Sequence, residues 1–141
     1  MFYPRLFEKF TEEDSDPVAD MEIGSKNIIH KWFESVGVDR SRYTIDDNLN
    51  INVKGDLDLR GTRITKLPDN LTIRGCLDLE GTQIKELPDN LYVDGWLDVH
   101  GTKIKELPDN LVVGGWLSLR GTQITELPKS LKVYGKIIEN F

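Results

Sequence analysis

The fold is decided by a stretch of sequence that occurs four times. Residues 71–90 read LTIRGCLDLEGTQIKELPDN and residues 91–110 read LYVDGWLDVHGTKIKELPDN. Residues 51–70 and 111–130 repeat the same pattern with no insertion, and a fifth copy begins at Leu131 as LKVYG. Constant phase over four units of 20 residues is typical of a solenoid, in which each unit forms one coil and packs on its neighbours.

The repeat also predicts the cross-section of one coil. Six positions are aliphatic in all four units; in residues 71–90 they are Leu71, Ile73, Leu77, Leu79, Ile84 and Leu87. The alternation of apolar and polar residues in LTI and LDL predicts two short strands per coil, each pairing with its copies in adjacent coils. Gly75 and Gly81 predict two tight corners, and Pro88 stiffens a third. The Thr82 hydroxyl is expected to bond to buried backbone groups and to its counterpart in the next coil.

The sequence outside the repeats divides into three segments. Residues 1–24 form an aromatic N-terminal segment and an acidic linker, residues 25–50 predict a helix and a β-hairpin that cap the first coil, and residues 131–141 predict a C-terminal cap. In the helix, Ile29, Trp32, Phe33 and Val36 fall on one face, with Ser25 as its N-cap and Gly37 as its stop. The predicted fold is therefore a mainly β solenoid of four 20-residue coils, residues 51–130, behind a helix and hairpin cap.

Composition and charge restrict the function. The chain has 141 residues and a formal net charge of −6, of which residues 1–25 contribute −5, from two basic and seven acidic side chains. The repeats show no basic stripe, so nucleic-acid binding is disfavoured. The sequence contains no long apolar run, which argues against a membrane partner and predicts a cytoplasmic protein. One cysteine and two histidines disfavour a metal site, and no cofactor is expected.

Two of the repeats resemble a known family. LDLEGTQIKELPDNL and LSLRGTQITELPKSL resemble leucine-rich repeats of the short bacterial and phage type, whose usual core is LxLxxNxLxxLP. The resemblance covers residues 51–135, with threonine where the family places its asparagine ladder and an additional strand-like LxVxG. The coil is therefore either a leucine-rich-repeat horseshoe or a flattened β-helix. The helix and the stretch YTIDDNLNINVKGDLDL also resemble the front end of small leucine-rich-repeat-like proteins of tailed phages.

The resemblance implies that function lies on the outward residues of the LxL sheet. Alternation gives three such residues per coil, in columns spaced about 4.8 Å apart along the stack. The columns are Asp56, Cys76, Trp96, Trp116; then Asp58, Asp78, Asp98, Ser118; then Arg60, Glu80, His100, Arg120. We expect Trp96 and Trp116 to stack, either shielding the sheet or forming the centre of a contact surface. The candidate partner-binding residues are Trp96, Trp116, Asp78, Asp98, His100 and Arg120.

The aspartate column allows several interpretations. Like charges stacked at this spacing are expected to raise at least one carboxyl pKa. The column is either a solvated face or a site for a basic group from a partner; a calcium site is a third reading, although a flat column does not surround an ion. Ser118, His100 and Asp98 share the face, which raises a hydrolase as a further alternative. The ladder, however, uses the backbone amides that an oxyanion site requires.

The N-terminal segment is the remaining candidate for an interaction. FYPRLFEKF spaces Phe2, Tyr3, Leu6, Phe7 and Phe10 on one helical face, ahead of the acidic stretch TEEDSDPVADME. It either folds back on the cap, docks on a partner or mediates self-association. Taken together, the sequence predicts a non-catalytic protein–protein interaction module that uses the exposed face of the LxL sheet. The alternative is a phage-encoded inhibitor that occludes the surface of a host defence or regulatory enzyme.

Overall fold

The computed structural model describes residues 26–139. The predicted aromatic segment 1–24, the N-cap Ser25 and the last two residues lie outside that range. Helix α1 spans Lys26–Ser35, and the chain turns at Gly37, whose φ of +79° favours glycine. A short 3-10 turn, Arg40–Arg42, then leads into the strands. The strands are β1 Tyr43–Ile45, β2 Ile51–Val53, β3 Leu57–Asp58, β4 Leu71–Ile73, β5 Leu77–Asp78, β6 Tyr92–Val93, β7 Leu97–Asp98, β8 Val112–Val113, β9 Leu117–Ser118, β10 Lys132–Val133 and β11 Ile137–Ile138.

The strands form two sheets that run along the stack. The front sheet has the order β11-β9-β7-β5-β3 and carries the LxL motif; the rear sheet has the order β10-β8-β6-β4-β2-β1. All pairings are parallel except that of β1 with β2. Leu97 pairs with both Leu77 and Leu117, so equivalent residues lie directly above one another. The predicted β solenoid with a helix cap is confirmed, and its coils contribute strands to two sheets.

The corners show why particular residues recur. Gly81 has a φ of +72°, in the left-handed region where a side chain is strained. Gly95 instead lies so close to the coil below that an added Cβ would come 2.5 Å from Cys76 Sγ. At the third corner Asn90 has a φ of +63°, and Asn70 and Asn110 have φ values of +61° and +62°. Asparagine therefore shapes this corner besides the predicted proline, because its short polar side chain tolerates the left-handed conformation.

The repeated threonines hold the second corner from within their own coil. The hydroxyl of Thr82 donates to the Leu79 carbonyl at 2.9 Å, and that of Thr102 donates to the Val99 carbonyl at 2.9 Å. The predicted bond to a buried backbone group is therefore present. These two hydroxyls bond within their own coil and not, as predicted, to the threonine of the next coil. The carbonyl three residues earlier is within hydrogen-bond distance, whereas the next coil is about 4.8 Å away.

The core fills the space between the sheets, and the two ends of the stack differ. At the N-terminal end, Trp32 and Phe33 of α1 are 1% and 0% exposed, and Phe33 stacks on Tyr43 of β1 with ring centroids 3.9 Å apart. At the opposite end, residues 131–139 add one further strand to each sheet. Their apolar side chains are only partly buried. The segment predicted to be a cap therefore has the form of a fifth, partial coil.

Candidate functional site

Trp96 and Trp116 form the centre of the candidate site on the front sheet. Trp96 immediately precedes β7, and Trp116 immediately precedes β9. Since Leu97 and Leu117 point into the core, alternation along the chain directs the two indoles away from it. Their ring centroids are 4.8 Å apart and their planes differ by 6°. The separation matches the spacing of strands in a sheet, so register alone brings the indoles into contact. Both side chains are partly buried, and the expected stack is therefore present without being fully exposed.

The column that holds the tryptophans changes character along the stack. In the first coils its side chains bond to the amide of the next coil: Asp56 Oδ1 accepts from the Cys76 amide at 2.8 Å, and Cys76 Sγ accepts from the Trp96 amide at 3.4 Å. Indole rings offer no such acceptor, and from Trp96 onward the contact between coils is ring on ring. An aromatic surface thus begins where the polar links end.

The neighbouring aspartates are oriented by local backbone bonds. Asp58, Asp78 and Asp98 each accept from the main-chain amide two residues later, at 3.1, 3.0 and 2.9 Å. This local turn uses a short carboxylate that reaches back to its own backbone. The same local bond therefore orients the carboxylate in each of the three coils. The aspartate in LDL is thus partly structural, a role that the sequence analysis did not assign.

The charges in this column are unequally compensated. Arg60 Nη2 lies 2.7 Å from Asp58 Oδ2, and Arg60 Nε lies 3.3 Å from Asp78 Oδ2. Hydrogen bonds from Arg60 lower the pKa of Asp58. The pKa of Asp78 is raised, mainly by burial, and repulsion from Asp98 adds to the effect. The sequence expectation that stacked aspartates raise at least one carboxyl pKa therefore holds at Asp78, although burial is the larger cause.

The other candidate residues complete the rim of the site. His100 Nδ1 lies 3.5 Å from Glu80 Oε2, and Arg120 is exposed one coil beyond His100. Ser118 is 6% exposed. The structure thus brings His100 to Glu80, whereas a hydrolytic triad needs a histidine oriented by Asp98 and an accessible serine. This geometry gives no support to the hydrolase alternative.

Three carboxylates of the rim come close together. One oxygen each of Asp78, Glu80 and Asp98 lies within 4.8 Å of the others. Calcium takes six to eight oxygen ligands from several directions, and a flat sheet supplies them from one side only. We therefore treat this group as the source of a negative rim beside the indoles and not as a metal centre.

A second aromatic surface lies on the rear sheet, where the sequence analysis placed no functional residue. Tyr134 is 75% exposed and Tyr92 is 38% exposed. The Arg74 guanidinium lies over the Tyr92 ring, 5.9 Å from its centroid, and is 3.6 Å from the Asp94 carboxylate. The signal was available in the sequence, since the alternation in LYV and LKVY places both tyrosines outward.

Comparisons with known proteins leave the family open. No family model, no curated protein and no solved structure matches the chain. The resemblance to leucine-rich repeats is therefore still a prediction from sequence motifs. Within residues 26–139, no helix is of a length and apolarity that would allow it to cross a membrane.

Proposed function

We propose that this protein is a non-catalytic protein-binding module whose contact surface is the outward face of the front sheet around Trp96 and Trp116. The observation that carries the proposal is the stacked indole pair, with centroids 4.8 Å apart on a face whose other outward residues are mostly polar or charged. Tryptophan is enriched at the energetic centres of protein interfaces. A rigid aromatic pair also loses little conformational entropy when a partner covers it.

The rim indicates the chemistry of the partner. Asp78, Glu80 and Asp98 place three carboxylates on this face, and the basic groups closest to them are Arg60, which contacts Asp78, and His100, which contacts Glu80. A lysine or arginine on the partner would be attracted both to these carboxylates and to the faces of the rings. The proposed partner is therefore a protein that presents a basic side chain within an apolar contact surface.

The test compares the two aromatic faces of the same molecule. The front variant carries Trp96→Ala and Trp116→Ala, and the matched control carries Tyr92→Ala and Tyr134→Ala on the rear sheet. Proteins captured by each full-length variant are quantified by mass spectrometry, after circular dichroism has shown that both fold. We expect at least one captured protein to fall about tenfold or more with the front variant alone. Its binding to purified wild type is then measured by calorimetry. Undiminished recovery by the front variant would contradict the proposal.

A charge variant tests the proposed partner chemistry. We expect Asp78→Asn combined with Asp98→Asn to slow association with that protein and to reduce the dependence of the rate on salt, because rim charges act mainly on encounter. Surface plasmon resonance at several ionic strengths measures both quantities. An unchanged salt dependence would rule out a basic partner while leaving the indole contact intact.

A further inference from the structure

The C-terminal end of the stack exposes apolar surface that the inner coils bury. Leu71, Leu91 and Leu111 are at most 1% exposed, whereas Leu131, at the same position of the fifth coil, is only partly buried. The same holds for Val133 and Ile137. Tyr134 and Ile138 lie beside them on the outward faces, and Tyr134 is the more exposed of the two large apolar side chains that stand out from the described surface. We call Leu131, Val133, Tyr134, Ile137 and Ile138 the terminal surface.

The same end presents unpaired strand edges. Within residues 26–139, β10 pairs only with β8, and β11 pairs only with β9. The amides of Lys132 and Tyr134 donate to the preceding coil. By the alternation of a parallel ladder, Val133 between them directs its amide and carbonyl to the open end. An open edge of this kind binds a further extended segment readily.

The charge of this end favours residues 1–25 over a second copy of the chain as the segment that binds there. Residues 129–139 contain Lys129, Lys132 and Lys136 and one acidic residue, Glu139, which leaves two positive charges. A second copy docked end to end would bring the lysines of one chain against those of the other, and lysine on an edge strand disfavours such pairing. Residues 1–25 carry a net charge of −5 and contain Phe2, Tyr3, Leu6, Phe7 and Phe10. Their charge is opposite to that of the C-terminal end, and their aromatic side chains suit its apolar surface.

The N-terminal segment is also long enough to reach this end. It joins the described chain at Lys26, beside the first coil. From β1 to β10 the rear sheet makes five strand-to-strand steps, a distance of about 24 Å at about 4.8 Å each. A chain of 25 residues spans up to about 80 Å when extended. At the near end, by contrast, the apolar side of α1 is already covered, with Ile29, Trp32 and Phe33 at most 1% exposed.

We propose that residues 1–25 cover the terminal surface of their own chain, with the aromatic side chains on the apolar end of the stack and the acidic residues beside Lys129, Lys132 and Lys136. The contact is intramolecular, because the tether keeps the segment at a high effective concentration near the end of the stack. The covered end then lacks the open edges that would otherwise add strands from other chains.

Disulfide trapping tests the location of the segment. In full-length protein with Cys76→Ser, one variant carries Lys9→Cys with Lys132→Cys, and a second carries Lys9→Cys with Lys31→Cys on α1. Under a mild glutathione redox buffer we expect the first pair to form an intramolecular disulfide at least about tenfold faster than the second. An equal or faster reaction of the second pair would place the segment on the N-terminal cap. A disulfide between two chains, or no disulfide in the first variant, would also overturn the proposal.

Hydrogen exchange tests the contact without introduced cysteines. In the full chain with Phe2→Ser, Phe7→Ser and Phe10→Ser, we expect the Val133 and Ile137 amides to exchange at least about tenfold faster than in wild type, with Val93 and Leu97 unchanged. Lys132→Glu with Lys136→Glu is expected to have the same effect in the same direction. The matched control is Lys85→Glu with Lys105→Glu, on the exposed third side of the inner coils. Unchanged exchange at Val133 and Ile137 in the serine variant would overturn the proposal.

Discussion

The N-terminal end of this solenoid is closed by elements that are not coils, and the C-terminal end is formed by a coil. Helix α1 and the antiparallel strand β1 bring Trp32, Phe33 and Tyr43 over the first coil, and all three are at most 4% exposed. Residues 131–139 continue both sheets in register and leave Leu131 and Ile137 partly exposed. Among the described residues, the helix and β1 cover the first coil, whereas the fifth coil presents again the surface that it covers.

The largest expected effect compares the two ends directly. We expect Phe33→Ala to lower the free energy of unfolding by about 3–5 kcal/mol, because the ring is fully buried and leaves a cavity. Ile137→Ala should cost less, about 1–2 kcal/mol, because within residues 26–139 no further coil packs on its strand. Urea denaturation of the two variants measures both losses. Equal losses would mean that the C-terminal end is closed as tightly as the N-terminal end.

An intermediate effect separates an inner coil from the coil next to the cap. Thr102 is 4% exposed and its hydroxyl bonds to the Val99 carbonyl, whereas Thr62 of the first coil makes the equivalent bond from a partly exposed position. Thr102→Val removes this hydrogen bond from a buried carbonyl that keeps its bond from the Thr102 amide, and it should cost about 0.5–1.5 kcal/mol. Thr62→Val should cost less, since water can replace the hydroxyl. Thermal unfolding of both variants gives the comparison, and a larger loss at Thr62 would contradict it.

The smallest effect concerns two carboxylates of opposite pKa shift in the first and second coils. The pKa of Asp58 is lowered by Arg60, so its stabilisation is present above the ordinary carboxyl pKa and is lost as pH falls through the folded-state value. The pKa of Asp78 is raised by burial, so its stabilisation is present at low pH and is lost as pH rises through the folded-state value. At pH 7 we therefore expect Asp58→Asn to destabilise the protein and Asp78→Asn to stabilise it.

The change at Asp58 should be less than about 1 kcal/mol, because its side chain is 55% exposed and solvent screens it. The change at Asp78, whose side chain is 13% exposed, should also stay within about 1 kcal/mol, because its contact with Arg60 offsets part of the effect of burial. Urea titrations at pH 7 and at acid pH measure them, and both differences should shrink at acid pH as the wild-type carboxylates become protonated. The same sign for both variants at pH 7 would contradict the opposite shifts.

The coil could be predicted from the sequence because the same pattern occurs in four copies, and any assignment of strands and corners had to fit all four. The phase of Leu77, Leu97 and Leu117 fixes their pairing, and with it the stacking of Trp96 on Trp116. What could not be predicted depends on distances between atoms. The choice of Thr82 between its own coil and the next one is such a case, and so is the division of Arg60 between Asp58 and Asp78. The left-handed conformation of Asn90 is a further case, because Pro88, two residues earlier, is an equally good turn residue in the sequence.

The function was less predictable than the fold for a physical reason. Core positions obey a period that can be read from the chain, whereas a partner contributes half of every binding surface and leaves no trace in this sequence. The proposed interaction at Trp96 and Trp116, the inhibitor alternative and the candidate rim residues therefore stay predictions. The exposed Tyr92 and Tyr134 show that a second face deserves the same experimental comparison.

The constant length of the coils spaces equivalent side chains evenly along the stack. Every coil contributes the same rise, about 4.8 Å, and returns the chain to the same corner. Inserting a second copy of residues 91–110 between Asn110 and Leu111 would therefore preserve both sheets while adding a third indole to the row. A series of such extended proteins would act as molecular rulers, because the number of aromatic steps that a ligand can span would be set by counting copies.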